Sequence, residues 1–178
     1  YKYISYGIGE DIKKVKFSEP ILRPQKKPTI CMIFSGQGPQ TINMGRVLYK
    51  QFPVFRETIN KCEKIMKEFM GISLIEDIGM FENKIEKPER FISTLNRPLY
   101  STPALIFVQL ALFELWKSFG IVPDVVMGHS LGELAAIYAA EAIDLEEAVK
   151  ILCTRANLME KLKPSGGMIA IGCSEERA

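Results

Sequence analysis

Asp124-Val-Val-Met-Gly-His-Ser-Leu-Gly-Glu-Leu-Ala-Ala-Ile-Tyr-Ala-Ala140 decides the fold. Asp124–Met127 reads as a short strand, and Glu133–Ala140 reads as an Ala-rich helix. Between them Gly128-His-Ser-Leu-Gly132 fits the G-x-S-x-G pattern of a nucleophile on a sharp strand-to-helix turn. Such a turn forces Ser130 into a strained backbone conformation with its hydroxyl exposed. The flanking glycines let the strand and the helix approach each other. The amide of Leu131, at the helix N-terminus, has no intrahelical partner and is free to donate to a developing oxyanion.

A serine hydroxyl is a weak nucleophile without a general base, most often a histidine. The 178 residues contain one histidine, His129. Side chains of neighbouring residues diverge on such a turn, so His129 is not expected to reach the Ser130 hydroxyl. It is expected to pack beside the site on the substrate side, or to hydrogen-bond the backbone. The activating base is therefore expected to be missing from this stretch of chain.

Upstream, Thr29-Ile-Cys-Met-Ile-Phe34 reads as another buried parallel strand, ended by a loop at Gly36-Gln-Gly-Pro-Gln40. Ligands of open parallel sheets bind outside the strand C-termini. Gln37 there offers a second amide N–H, although a plain Gly-rich turn reads equally well. The loop lacks the third glycine of a dinucleotide fingerprint and the Gly-Lys-Ser/Thr of a P-loop. Between the strands, helical spacing runs through Met44, Val47, Leu48 and Phe52, restarts at Pro53 and stops at Gly71. A long apolar helix is predicted from about Pro103 to Phe119. Gln109, Glu114, Lys117 and Ser118 interrupt its apolar run, which makes it a buried helix and not a membrane span. Asp144 with Glu147 forms a capping box for a helix to about Leu162. Pro164–Gly167 breaks the chain before a third strand, Met168–Ile171. Alternating strands and helices predict an α/β fold with a parallel sheet.

On that last helix, Arg155 has Ile151, Leu152, Leu158 and Met159 at the i±3 and i±4 positions, so it is expected on the buried face. A buried arginine needs an anion. That anion is either a protein carboxylate or a substrate carboxylate held by the guanidinium fork.

Composition narrows the partners. The apolar fraction of 47% and charged fraction of 25% are those of a globular domain. A net charge of +2 points to neither nucleic acid nor an anionic membrane, and the basic residues of the first 28 positions read as a solvated linker punctuated by Pro20, Pro24 and Pro28. The first ten residues have no apolar core of a signal peptide. Cys31, Cys62, Cys153 and Cys173 lack metal-ligand spacing and read as small core hydrophobes of a reducing compartment, which predicts no metal site.

The motifs together resemble the acyltransferase domains of polyketide and fatty acid synthases, and the free-standing malonyl-CoA:acyl carrier protein transacylases. The residues that carry the resemblance are Phe34-Ser-Gly-Gln-Gly-Pro-Gln40 with Met44-Gly45, Thr102-Pro-Ala-Leu105, Gly128-His-Ser-Leu-Gly-Glu133, Arg155 and Gly166-Gly-Met168. It spans residues 29 to 174. A polyketide synthase is the nearest likeness, because the Pro-rich start resembles a linker from a ketosynthase. The resemblance implies a linker over 1–28, an incomplete α/β-hydrolase-like large subdomain over 29–165, and the first strand of a ferredoxin-like subdomain over 166–178. It implies Ser130 as the acylated nucleophile, Gln37 and Leu131 as oxyanion donors, and Arg155 as the clamp on a malonyl carboxylate. It also implies a coenzyme A thioester as substrate, an acyl carrier protein with its phosphopantetheine thiol as acceptor, ketosynthase and other synthase domains as partners, and a cytoplasmic location. Leu131 resembles malonyl-selective members. Thr102 departs from the family, which usually has glutamine there. The family's catalytic histidine lies downstream of Arg155, past Ala178. The chain is thus expected to be a piece of a malonyl acyltransferase or an inactive remnant serving as a scaffold; Arg155 and the Gln37 loop argue against a serine hydrolase.

Overall fold

A computed structural model describes residues 2–9, 13–24, 26–82, 85, 87–162, 171–174 and 177. The chain divides into two units, Tyr1–Ile30 and Cys31–Ala178. In the first, the stretch expected as linker holds a narrow antiparallel ribbon of β1 (Tyr3–Ile4) and β2 (Ile21–Leu22), with Tyr3 opposite Leu22.

The second unit is α/β. β3 (Cys31–Phe34) and β4 (Val125–Gly128) pair in parallel, with Cys31 opposite Val125 and Phe34 opposite Gly128. Between them the chain forms α1 (Arg46–Gln51), α2 (Pro53–Met70), α3 (Leu74–Ile78), α4 (Pro88–Leu95) and α5 (Pro98–Ser118). α6 (Gly132–Ala139) and α7 (Leu145–Lys161) follow β4. α2 starts on Pro53 at its first turn and ends on Gly71 at φ 70, the left-handed position that glycine tolerates best. α7 opens with the complete capping box: the Glu147 amide donates to Asp144 Oδ1 at 2.8 Å, and the Asp144 amide donates to Glu147 Oε2 at 3.0 Å.

α5 is the centre of the core. It packs against α2, α4, α6 and α7, and Ala104, Ile106, Phe107, Leu110 and Ala111 are fully buried. It is long and apolar enough to cross a membrane, but its surface is buried inside the protein, as in a core helix. Its start is at Pro98, not near Pro103: the fixed φ of proline suits the first turn, and Pro103 lies inside the helix. Phe113 joins the helix layer to the sheet, edge-on to Phe34 at 6.4 Å and to Tyr138 of α6 at 6.0 Å.

Other expectations are corrected. β3 is not a buried strand: Ile33 is 72% exposed, and only Phe34 of its residues is buried. Cys62 and Cys153 are buried, but Cys31 and Cys173 are exposed. Cys31 opens β3 and has little packed over it. Arg155 does not sit amid a buried face: Ile151 and Leu158 are exposed. The buried stripe of α7 is Ala148, Val149, Leu152, Cys153 and Ala156, and Arg155 flanks it. Apolar neighbours along a helix do not by themselves say which of two apolar faces is covered. The strand expected at Met168–Ile171 lies outside the described residues except for Ile171, which has no regular structure. The break at Pro164–Gly167 also lies outside them.

Candidate active site

The turn at Ser130 is built by backbone collisions that only glycine avoids. Ser130 has φ 52, a left-handed conformation unusual for a residue with a side chain. A Cβ on Gly132 would fall on the carbonyl of Phe34, and one on Gly128 would fall on the backbone between Gly132 and Glu133. The two strands and α6 are therefore pressed together around the serine. The Gly132, Glu133 and Leu134 amides donate to the His129, Ser130 and Leu131 carbonyls, at 2.9, 3.1 and 3.2 Å. This tight first turn leaves the Leu131 N–H with no acceptor among the described residues. The Leu131 side chain is buried, which anchors the amide.

The parallel register brings the glutamine loop to the same end. Phe34 pairs with Gly128, so Gly36 and Ser130 each lie two residues past that rung. The His129 amide donates to the Phe34 carbonyl at 3.0 Å, extending the pairing into the turn. His129 Nδ1 would lie 2.7 Å from a Cβ on Gly36, so the imidazole occupies the space over that glycine. His129 thus packs on the loop. Gln37, His129, Ser130 and Leu131 come together at the C-terminal ends of β3 and β4.

Arg155 is half-buried, and its Nη1 is shielded from solvent without a hydrogen-bond partner. No carboxylate among the described residues pairs with it. Its helix α7 packs on α6, the helix that the serine turn opens. An orphaned guanidinium nitrogen in a desolvated place is suited to a carboxylate from outside the protein.

Sequence reasoning missed two polar residues on α5. The Gln37 side-chain Nε2 donates to Ser101 Oγ at 3.2 Å. Gln109 Nε2 donates to the Ser35 carbonyl at 3.0 Å. Ser101 is fully buried and Gln109 is 9% exposed. Their signal was a few polar side chains, Ser101, Thr102 and Gln109, in an otherwise apolar run. Thr102, beside them, is also fully buried, and its hydroxyl has no partner.

The buried cysteines are not rival nucleophiles. Burial, helped by the charge of Glu63, pushes the Cys153 thiol up to about 12, and burial pushes Cys62 higher still. Among the described residues no group of His, Cys, Asp and Glu could hold a metal ion.

Residues 31–178 match the acyl transferase domain. A highly reducing polyketide synthase of Strobilurus tenacellus is 38% identical over 161 residues, covering 89% of this chain and 6% of the relative. Among solved structures, the acyl transferase domain of ZmaA superposes with a TM-score of 0.73 at 31% identity, over 86% of this chain and 34% of that one. MCAT from Streptococcus pneumoniae superposes with a TM-score of 0.63 at 32% identity, over 75% of this chain and 39% of that one. The chain thus spans a small part of the synthase and about a third of the solved domain.

Proposed function

The chain belongs to the acyl transferase domain family, and we infer from the geometry of its serine turn that Ser130 carries the acyl group during transfer. The reaction proposed is the loading step of polyketide synthesis. Ser130 Oγ attacks the thioester carbonyl of malonyl-CoA, a C–O bond forms, and the C–S bond breaks to release coenzyme A as its thiol. The phosphopantetheine thiol of an acyl carrier protein then attacks the Ser130 ester and leaves with the malonyl group. Both steps place negative charge on the carbonyl oxygen. The Leu131 N–H, at the start of α6, and the Gln37 N–H, on the loop that follows β3, are its proposed donors.

The single observation that carries malonyl over a plain acyl ester is the buried, unpartnered Nη1 of Arg155. A planar guanidinium binds a carboxylate through two parallel hydrogen bonds, which a lysine cannot match. The proton of Ser130 is proposed to go to a histidine outside residues 1–178, because His129 is committed to the space over Gly36. A ketosynthase and other synthase domains are the proposed neighbours, and the cytoplasm the proposed setting.

Mass spectrometry of the chain after incubation with malonyl-CoA tests this. Slow addition of one malonyl group at Ser130 is expected, and none in Ser130→Ala. Labelling elsewhere, or none in the parent chain, would overturn the assignment of Ser130. Fast acylation with turnover onto a carrier protein would overturn the external base.

A further inference from the structure

The two proposed oxyanion donors are held in different ways. The Leu131 amide is fixed by the turn itself, through three consecutive backbone hydrogen bonds. The Gln37 amide lies on a loop flanked by Gly36 and Gly38, and Gly38 sits at φ 127 with nothing within 4 Å of a would-be Cβ. Glycines give such a loop many conformations to choose from. Its only backbone donor contact among the described residues is Gly38 N–H to Gln40 Oε1 at 3.0 Å. The loop's own backbone therefore does not aim the Gln37 N–H.

Side-chain bonds tie the loop to the helices around it. Gln109 Nε2 holds the Ser35 carbonyl, where β3 ends. Gln40 Nε2 donates to Asn96 Oδ1 at 3.4 Å, beyond the loop. Between these ties, Gln37 Nε2 donates to Ser101 Oγ. Ser101 and Gln109 stand eight residues apart, a little over two turns of α5 and about 80° apart around its axis, and both bond the segment that runs from Ser35 to Gln37. Both are buried polar groups on a long helix that is otherwise largely apolar and buried. A buried hydroxyl is retained there at a cost unless it is paired, and its pairing is with the loop.

We propose that Ser101 is a positioning residue: its hydroxyl, carried on the rigid core helix α5, holds the Gln37 side chain and so aims the Gln37 backbone N–H at the carbonyl oxygen of the acyl group on Ser130. Gln109 sets where the loop begins, and Ser101 sets how it is turned. This rests on the acyl-transfer reading of Ser130, but the tie itself can be measured without it.

The test uses the full chain with Ser101→Ala and Ser101→Thr, the latter keeping the hydroxyl. Amide hydrogen exchange is followed in peptides covering residues 35–40 and, as a control for the fold, residues 59–66 of α2. Malonylation of Ser130 is followed over a range of malonyl-CoA concentrations. Loss of a whole oxyanion donor typically slows reaction 10²–10³-fold, so a misaimed one should lower the maximal rate about tenfold in Ser101→Ala. The half-saturating malonyl-CoA concentration should stay constant, because the clamp at Arg155 is untouched. Exchange at 35–40 should rise severalfold with 59–66 unchanged, and Thr should restore both readouts. Unchanged exchange at 35–40 in Ser101→Ala overturns the tie. Faster exchange with an unchanged maximal rate overturns its role in catalysis. If the parent chain is not labelled at Ser130, the acyl-transfer reading fails and the role in aiming falls with it. The exchange data still decide whether Ser101 holds the loop.

Discussion

The carbonyl of Phe34 lies against Gly132 so closely that no Cβ fits between them. The same carbonyl accepts the His129 amide at 3.0 Å. One backbone oxygen of β3 thus touches the chain just before and just after Ser130. Gly132→Ala should push α6 off the sheet, since backbone cannot move aside as a flexible side chain can. Overpacking of this kind costs about 1–3 kcal/mol, so a lower urea midpoint is expected together with loss of Ser130 labelling. A midpoint equal to that of the parent chain would contradict the packing described.

Ser130 itself stands at φ 52, where a side chain is strained. Ser130→Gly should relieve the strain while removing the hydroxyl proposed to be acylated. A stabilisation of about 0.5–1 kcal/mol by urea unfolding is expected, offset in part by the entropy of the unfolded glycine. Ser130→Ala, which keeps the Cβ, should show no such gain.

Arg155 offers a second separation of stability from activity. Its Nη1 is desolvated and unpaired, so an apolar side chain of similar length should be tolerated. Arg155→Met is expected to leave the urea midpoint unchanged or higher. It should also abolish any preference of Ser130 for malonyl-CoA over acetyl-CoA, measured by competition. A preference equal to that of the parent chain would return Arg155 to a packing role.

Glu63 makes the fold sensitive to pH. Its carboxylate accepts from Ser73 Oγ at 2.6 Å and from the Leu74 and Ile75 amides at 3.0 and 3.4 Å. Burial nevertheless outweighs these bonds, and with the nearby Asp77 it raises the Glu63 pKa above the ordinary 4.5. The folded state then binds more protons than the unfolded one between 4.5 and the raised value. Stability is highest below that window and falls as pH rises through it. Urea midpoints at pH 5 and pH 7.5 should differ more in the parent chain than in Glu63→Gln. An equal difference would mean that burial does not dominate at this residue.

The parts legible in the sequence were those with local signatures. The serine turn, the capping box at Asp144 and Glu147, and the restart of α2 at Pro53 are each set by residues within a few positions of one another. α5 was harder to read because it is apolar on all sides, so its polar residues carried no periodic hint of direction. Its first turn was hidden by Pro98, which looks like a break and acts as a start. The face of Arg155 was misjudged because α7 carries a second, exposed apolar strip at Ile151 and Leu158. The tie from Gln37 to Ser101 spans 64 positions, and no pattern in one sequence announces such a pairing.

The pairing of β3 with β4 joins Cys31 to Val125, across about ninety residues that include all of α1 to α5. A ribosome adding about 5–20 residues per second leaves β3 without its neighbour for about 5–20 s. Contacts so distant in sequence form slowly, after the helices between them have had time to associate. The serine turn needs both strands, since Phe34 must be in place before His129 and Gly132 can settle against it. A nascent chain therefore has α1 to α5 in hand before the two strands that frame Ser130 can meet.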